Sequence, residues 1–83
     1  MDKVGKTLLQ QELVARKTAA NQRLAAVTTS ILMTSTAIDL WTELNETEEL
    51  GAATVARMAA QQEQQELEAL IIRLERGIEC LQR

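Results

Sequence analysis

The chain has 83 residues and a mass of 9.2 kDa, with a net charge of −3, one Cys, one aromatic residue, and no Pro, His, Tyr or Phe. A chain this short makes at most one domain with a thin monomeric core, and its poverty in aromatics and turn residues argues against a β fold. Without His, with a single Cys and with no glycine-rich phosphate loop, it offers no catalytic triad, no ordinary zinc site and no nucleotide fingerprint, so the reading is of a non-enzymatic protein with no cofactor and no metal.

Ala, Leu, Glu, Gln and Arg dominate, all good helix formers, and the fold class expected is all-α. With so little Gly and no Pro to break it, the chain reads as two long helices and not as many short ones. Charge is unevenly spread. Residues 1–23 carry five cations and two carboxylates, whereas residues 39–68 carry eight carboxylates and Arg57 as their one cation. The chain therefore has a basic arm and an acidic middle.

Residues 1–6 are expected to be a mobile tail. Thr7 followed by Gln10 makes a capping-box pattern, which predicts a first helix over about 8–44. Within it Leu24, Val27, Ile31, Thr34, Ile38 and Trp41 recur at steps of three and four, a heptad-like seam that extends back through Ala20 to Leu13. Leu32, Met33, Ala37, Leu40 and Leu44 fall off that seam and form a second apolar strip, too far round the helix for one facing helix to cover both. The β-branched run at 28–30 is a possible break.

The same region contains the uncharged stretch Leu24–Ile38. Its fifteen residues, six of them Ser or Thr, fall short of the ~20 apolar residues of a membrane span, and it runs into Asp39 and Glu43, which suit neither a span nor an anionic lipid surface. No membrane association is expected. The start of the chain lacks the apolar run of a secretory signal, and a lone Cys80 fits a reducing compartment, so the expected location is cytoplasmic.

A turn is predicted at about 45–47. Asn45 with Glu48 can cap a second helix over about 46–82, with Glu46, Glu48 and Glu49 at the positive end of its dipole. Its C-terminal half presents Leu67, Leu70, Ile71, Leu74, Ile78 and Leu81 on one face, which with Leu13 are the residues expected to pack the hairpin. Its first half offers mostly Ala, and "QQEQQE" over 61–66 has no apolar side chain. Counting back from a turn at about residue 46 sets Val27 and Ile31 against this polar block.

The expectation is an antiparallel, coiled-coil-like helical hairpin over 1–83 whose apolar surface is completed by oligomerisation or by a partner helix. Leu24, Val27, Ile31, Leu32, Met33, Ile38, Leu40, Trp41 and Leu44 are the candidate partner interface. Trp41 has the further distinction that Trp is enriched in binding hot spots. The function read from this is an adaptor or chaperone-like subunit that covers an apolar helix of another protein or of a second copy. By fold-level analogy, bacterial secretion co-chaperones and phage- or plasmid-encoded modulators are built this way. The alternatives are a regulator that touches nucleic acid through the basic arm, although that arm lacks stacking aromatics, and a self-assembling structural subunit.

Overall fold

In the computed structural model, which describes residues 2–83, the chain is two helices and one turn: α1 spans Lys3–Glu43 and α2 spans Thr47–Gln82. At 1.5 Å per residue α1 alone is about 60 Å long, and the molecule measures 62 × 14 × 14 Å. It is a rod two helices wide. The helices run antiparallel, as three approaches between them show: Arg23 to Glu63, Lys17 to Glu75, and Leu13 against Gly77.

α1 begins at Lys3, five residues before the position predicted from the capping pattern. Thr7 is inside the helix, its hydroxyl donating to the Lys3 carbonyl at 3.0 Å, so it caps nothing. Of the expected mobile tail, residue 1 lies outside the described residues, Asp2 is the residue preceding the helix, and residues 3–6 are helical. The helix also passes unbroken through residues 28–30. Thr28 and Thr29 donate their hydroxyls to the carbonyls of Leu24 and Ala25, and Thr34, Thr36 and Thr42 bond back in the same way. The hydroxyls find partners within the helix instead of competing with it.

α1 ends in a Schellman arrangement. The Glu46 N–H donates to the Trp41 carbonyl at 3.0 Å and the Asn45 N–H to the Thr42 carbonyl at 3.2 Å, with Asn45 left-handed at φ 56°. Asn45 therefore terminates α1 and does not cap α2. The residue preceding α2 is Glu46, which makes no side-chain capping bond, while Glu48 and Glu49 occupy the first turn where carboxylates suit the dipole.

The side chains withdrawn from solvent follow a strict rule. In α1 they are Lys6, Gln10, Leu13, Lys17, Ala20, Leu24, Val27, Ile31, Thr34, Ile38 and Trp41, with Ser35 and Ala37 beside them. In α2 the run is Leu50, Ala53, Arg57, Ala60, Gln64, Leu67, Ile71, Leu74, Ile78 and Leu81, flanked by Thr54, Glu63, Leu70 and Gly77. Both main runs alternate steps of three and four, the seam of a two-stranded coiled coil. Among the described residues only Ala20, Val27, Ala53, Ile71, Leu74 and Leu81 are buried, each less than a tenth exposed.

Val27 corrects the expectation drawn from the polar block. It is the most buried side chain, at 3% exposure, and Ile31 is half-buried. The residue numbers of the three cross-chain pairs add to 86–92, not to the 93 that a turn at residue 46 gives. This register sets Val27 level with Ala60 and Gln64. Alanine there lets the helices close together, and the neighbouring Glu63 carboxylate is drawn outward to Arg23, so a polar sequence still covers an apolar seam.

Candidate functional site

The nine candidate interface residues divide into two groups. Leu24, Val27, Ile31, Ile38 and Trp41 lie on the seam and are half-buried or buried against α2; the intramolecular hairpin already engages them. Leu32, Met33, Leu40 and Leu44 point outward and are 47–68% exposed. Leu13, Leu67, Leu70, Ile71, Leu74, Ile78 and Leu81 are all withdrawn from solvent, and Leu13 Cδ1 would lie 3.3 Å from a Cβ placed on Gly77, so glycine leaves room for that leucine.

The outward group has a definite side. Arg23 Nε donates to Glu63 Oε2 at 2.6 Å and Arg23 Nη2 to Glu63 Oε1 at 2.9 Å, so the positions of residues 23 and 63 in the heptad adjoin across one long side of the rod. Ala37 and Leu44 repeat the position of Arg23 two and three heptads later, and Ala56 repeats that of Glu63 one heptad earlier. Met33 and Leu40 flank Ala37 by a turn each way, as Ala52 and Ala59 flank Ala56. One side of the turn-proximal half therefore carries Met33, Leu40 and Leu44 of α1; the register sets Met33 level with Ala56 and Ala59 of α2 and Leu40 level with Glu49 and Ala52, while Leu44 lies level with the turn, and all of these are exposed. A shallow depression lined by Leu32, Met33, Thr36, Ala37 and Leu40 opens on the same helix. Val55 and Met58 of α2 are exposed nearby.

This half of the rod is also electrically one-sided. No Lys or Arg occurs between Arg23 and Arg57, whereas Asp39, Glu43, Glu46, Glu48 and Glu49 all fall in that interval. Elsewhere ion pairs tie the helices: the bidentate Arg23–Glu63 pair and Lys17–Glu75 at 3.4 Å. The hydrogen bond from Arg23 holds the Glu63 carboxyl below its ordinary pKa, with the guanidinium charge acting in the same direction and desolvation against it.

Arg57 is the residue the sequence reading passed over. It occupies a seam position in α2, and its Nε is buried without a hydrogen-bond partner. The register sets it level with about residues 29–35, a stretch with no carboxylate. The signal was present: Leu50, Ala53, Arg57, Ala60, Gln64 and Leu67 keep the three-four spacing, but alanines and glutamines do not announce a seam as leucines do.

Among the described residues no cluster of His, Cys, Asp or Glu is arranged to hold a metal ion, and Cys80 is free and exposed. α1 contains an 18-residue window of mean hydropathy 1.3, of which 6% is buried in the hairpin; by length and composition alone it is long and apolar enough to cross a membrane. α1 runs unbroken through Asp39 to Glu43, so the apolar stretch continues past the uncharged Leu24–Ile38 run. Comparison with protein-family models, with curated proteins and with solved structures gives no match for this chain.

Proposed function

We propose that this protein is a small, non-enzymatic, cytoplasmic protein–protein interaction module, an adaptor or chaperone-like subunit that covers an apolar helix of another chain. The observation that carries the reading is the exposed strip of Met33, Leu40 and Leu44 on α1, with small Ala52, Ala56 and Ala59 of α2 beside its Met33–Leu40 part. A low apolar flank of this kind is a surface an amphipathic helix docks against.

The surface area supports the same reading. The chain exposes 6161 Å², where a compact monomer of this mass exposes about 4,900 Å². The excess is of the order that one partner covers in a standard interface. Its exposed leucines and methionines, 40–68% exposed, each forgo about half of the ~1.5–3 kcal/mol of full burial, which together is a large share of the ~5–15 kcal/mol that stabilises a typical domain.

A lipid surface is the competing ligand for an apolar helix. The carboxylates Asp39 and Glu43 beside the strip, with no cation between Arg23 and Arg57, oppose an anionic bilayer. The test is a Leu40→Asp variant with Met33→Asp as its companion. Each should lose chain–chain association by at least tenfold while circular dichroism shows the helix content retained, and the wild type should not float with anionic vesicles. Association unchanged in both variants, or co-flotation of the wild type, would sink the reading.

A further inference from the structure

The two helices are paired out of phase with their apolar halves. The contacts Lys17–Glu75, Leu13–Gly77 and Arg23–Glu63 fix a register in which Ile31 faces Ala60 and Ile38 faces Ala53 toward the turn, while Leu74 faces Lys17 and Leu81 faces Gln10 toward the open end. The apolar half of α1 thus lies on alanine, arginine and glutamine, and the apolar half of α2 lies on the polar start of α1. Ile31, Ile38 and Trp41 stay half-buried although they occupy the seam. Two more residues have no role in this register. Arg57 has its Nε buried on the seam without a partner. Gly51 stands inside α2 with open space where a Cβ would be, so it weakens the helix and makes room for nothing.

From this we propose that the hairpin is a register switch, with a second state in which α2 slides two heptads along α1, about 21 Å, and the turn moves from Asn45 to Gly51. A slip of whole heptads keeps the same faces in the seam. One heptad is added to α1 and one is taken from α2. Leu24 then faces Leu81, Ile31 faces Leu74 and Ile38 faces Leu67, so large apolar side chains meet large ones. Arg57 comes opposite Glu48 and gains the carboxylate that it lacks. The new turn falls within a residue of Gly51, and glycine takes the left-handed conformation that Asn45 now holds with no Cβ penalty. Thr54, three residues on, can cap the restarted helix. A slip of a single heptad has no such turn, since it would fall on Glu48 and Glu49. The second state gives up the Arg23–Glu63 and Lys17–Glu75 ion pairs and releases residues 3–21, the basic start of α1, from their partner helix. Both pairs are solvent-exposed, so salt screens them more than it screens a pair on the seam. Ionic strength is therefore the signal that shifts the balance toward the slipped register.

The test is disulfide trapping in the full chain carrying Cys80→Ser, dilute enough that separate chains do not cross-link. Leu24→Cys with Leu67→Cys reads the present register, and Leu24→Cys with Leu81→Cys reads the second. Leu24→Cys with Leu74→Cys is the control, because an unfolded chain closes loops of these similar lengths about equally well. In a glutathione buffer the first two pairs should each close at least tenfold more favourably than the control. Molar NaCl should raise closure of the Leu24–Leu81 pair at least threefold relative to the Leu24–Leu67 pair. Gly51→Ala, which the present α2 accommodates, should lower it at least twofold on the same scale. A Leu24–Leu81 pair that closes no better than the control, or whose closure ignores either salt or Gly51→Ala, would overturn the proposal.

Discussion

Replacing Arg57 by leucine should stabilise the protein, although it removes a charged residue. The guanidinium Nε is buried without a partner, and an unsatisfied buried N–H costs about 1–3 kcal/mol. The aliphatic stem of arginine already contributes apolar cover, so leucine adds little burial, and the two residues have nearly equal helix propensity. The unsatisfied group therefore dominates, and the expected gain is about 1–3 kcal/mol. For a domain of this length each kcal/mol moves the melting temperature by about 4–8 °C. Thermal unfolding followed by circular dichroism should show a rise of at least about 4 °C, measured at two protein concentrations because association shifts apparent stability. Arg57→Lys, which lacks the orphaned Nε but keeps the charge, should fall between. A melting temperature that is unchanged or lower in Arg57→Leu would refute the argument, since it would mean that the guanidinium has a partner worth more than its desolvation.

Gly51 has open space where a Cβ would stand, so Gly51→Ala should gain about 0.5–1 kcal/mol in urea denaturation from helix propensity alone; Gly77→Ala should gain less, because its Cβ would crowd Leu13 at 3.3 Å. Asn45 is left-handed at φ 56°, so Asn45→Gly should be neutral or slightly stabilising while Asn45→Val loses about 1–2 kcal/mol, and equal stabilities would refute the strain assigned to the turn. Because the Glu63 carboxyl has a folded pKa held below its ordinary 4.5, its bond to Arg23 contributes stability that is present above pH 4.5 and is lost as pH falls through the folded value. The melting-temperature difference between wild type and Glu63→Gln should therefore be largest near neutrality and vanish in acid, and a difference constant with pH would contradict it.

The seam of α1 was legible in the sequence because Leu24, Val27, Ile31, Ile38 and Trp41 are large, apolar and spaced at three and four. The apolar half of α2 was legible for the same reason. Two things were not. Asn45 can begin a helix or end one, since its side chain can cap and its backbone tolerates the left-handed region; the sequence alone does not choose, and the Schellman bonds from Glu46 and Asn45 decide it. The register then followed from the turn, and an error of a few residues placed Val27 wholly against the polar block, when it lies level with Ala60 at the edge of that block as well as with Gln64 inside it.

That small error hides why the tip surface exists. Had Val27 and Ile31 been the uncovered residues, a partner would have had to enter the seam and compete with α2. They are covered by the chain itself, through the close approach that Ala53 and Ala60 permit, and what remains exposed is the strip further round α1, from Met33 to Leu44. Alanines on two faces of α2 explain the two facts. Small residues on α2 let the helices meet closely along the seam, and small residues at Ala52, Ala56 and Ala59 leave the neighbouring side low beside Met33 and Leu40, which stay exposed. A single substitution tests this connection. Ala56→Leu would raise the flank beside Met33 without touching the seam; it should leave or modestly raise the melting temperature of the isolated hairpin and weaken association at the tip by at least tenfold. Undiminished association, measured by sedimentation, would show that the flank beside Met33 is not where the second chain lies.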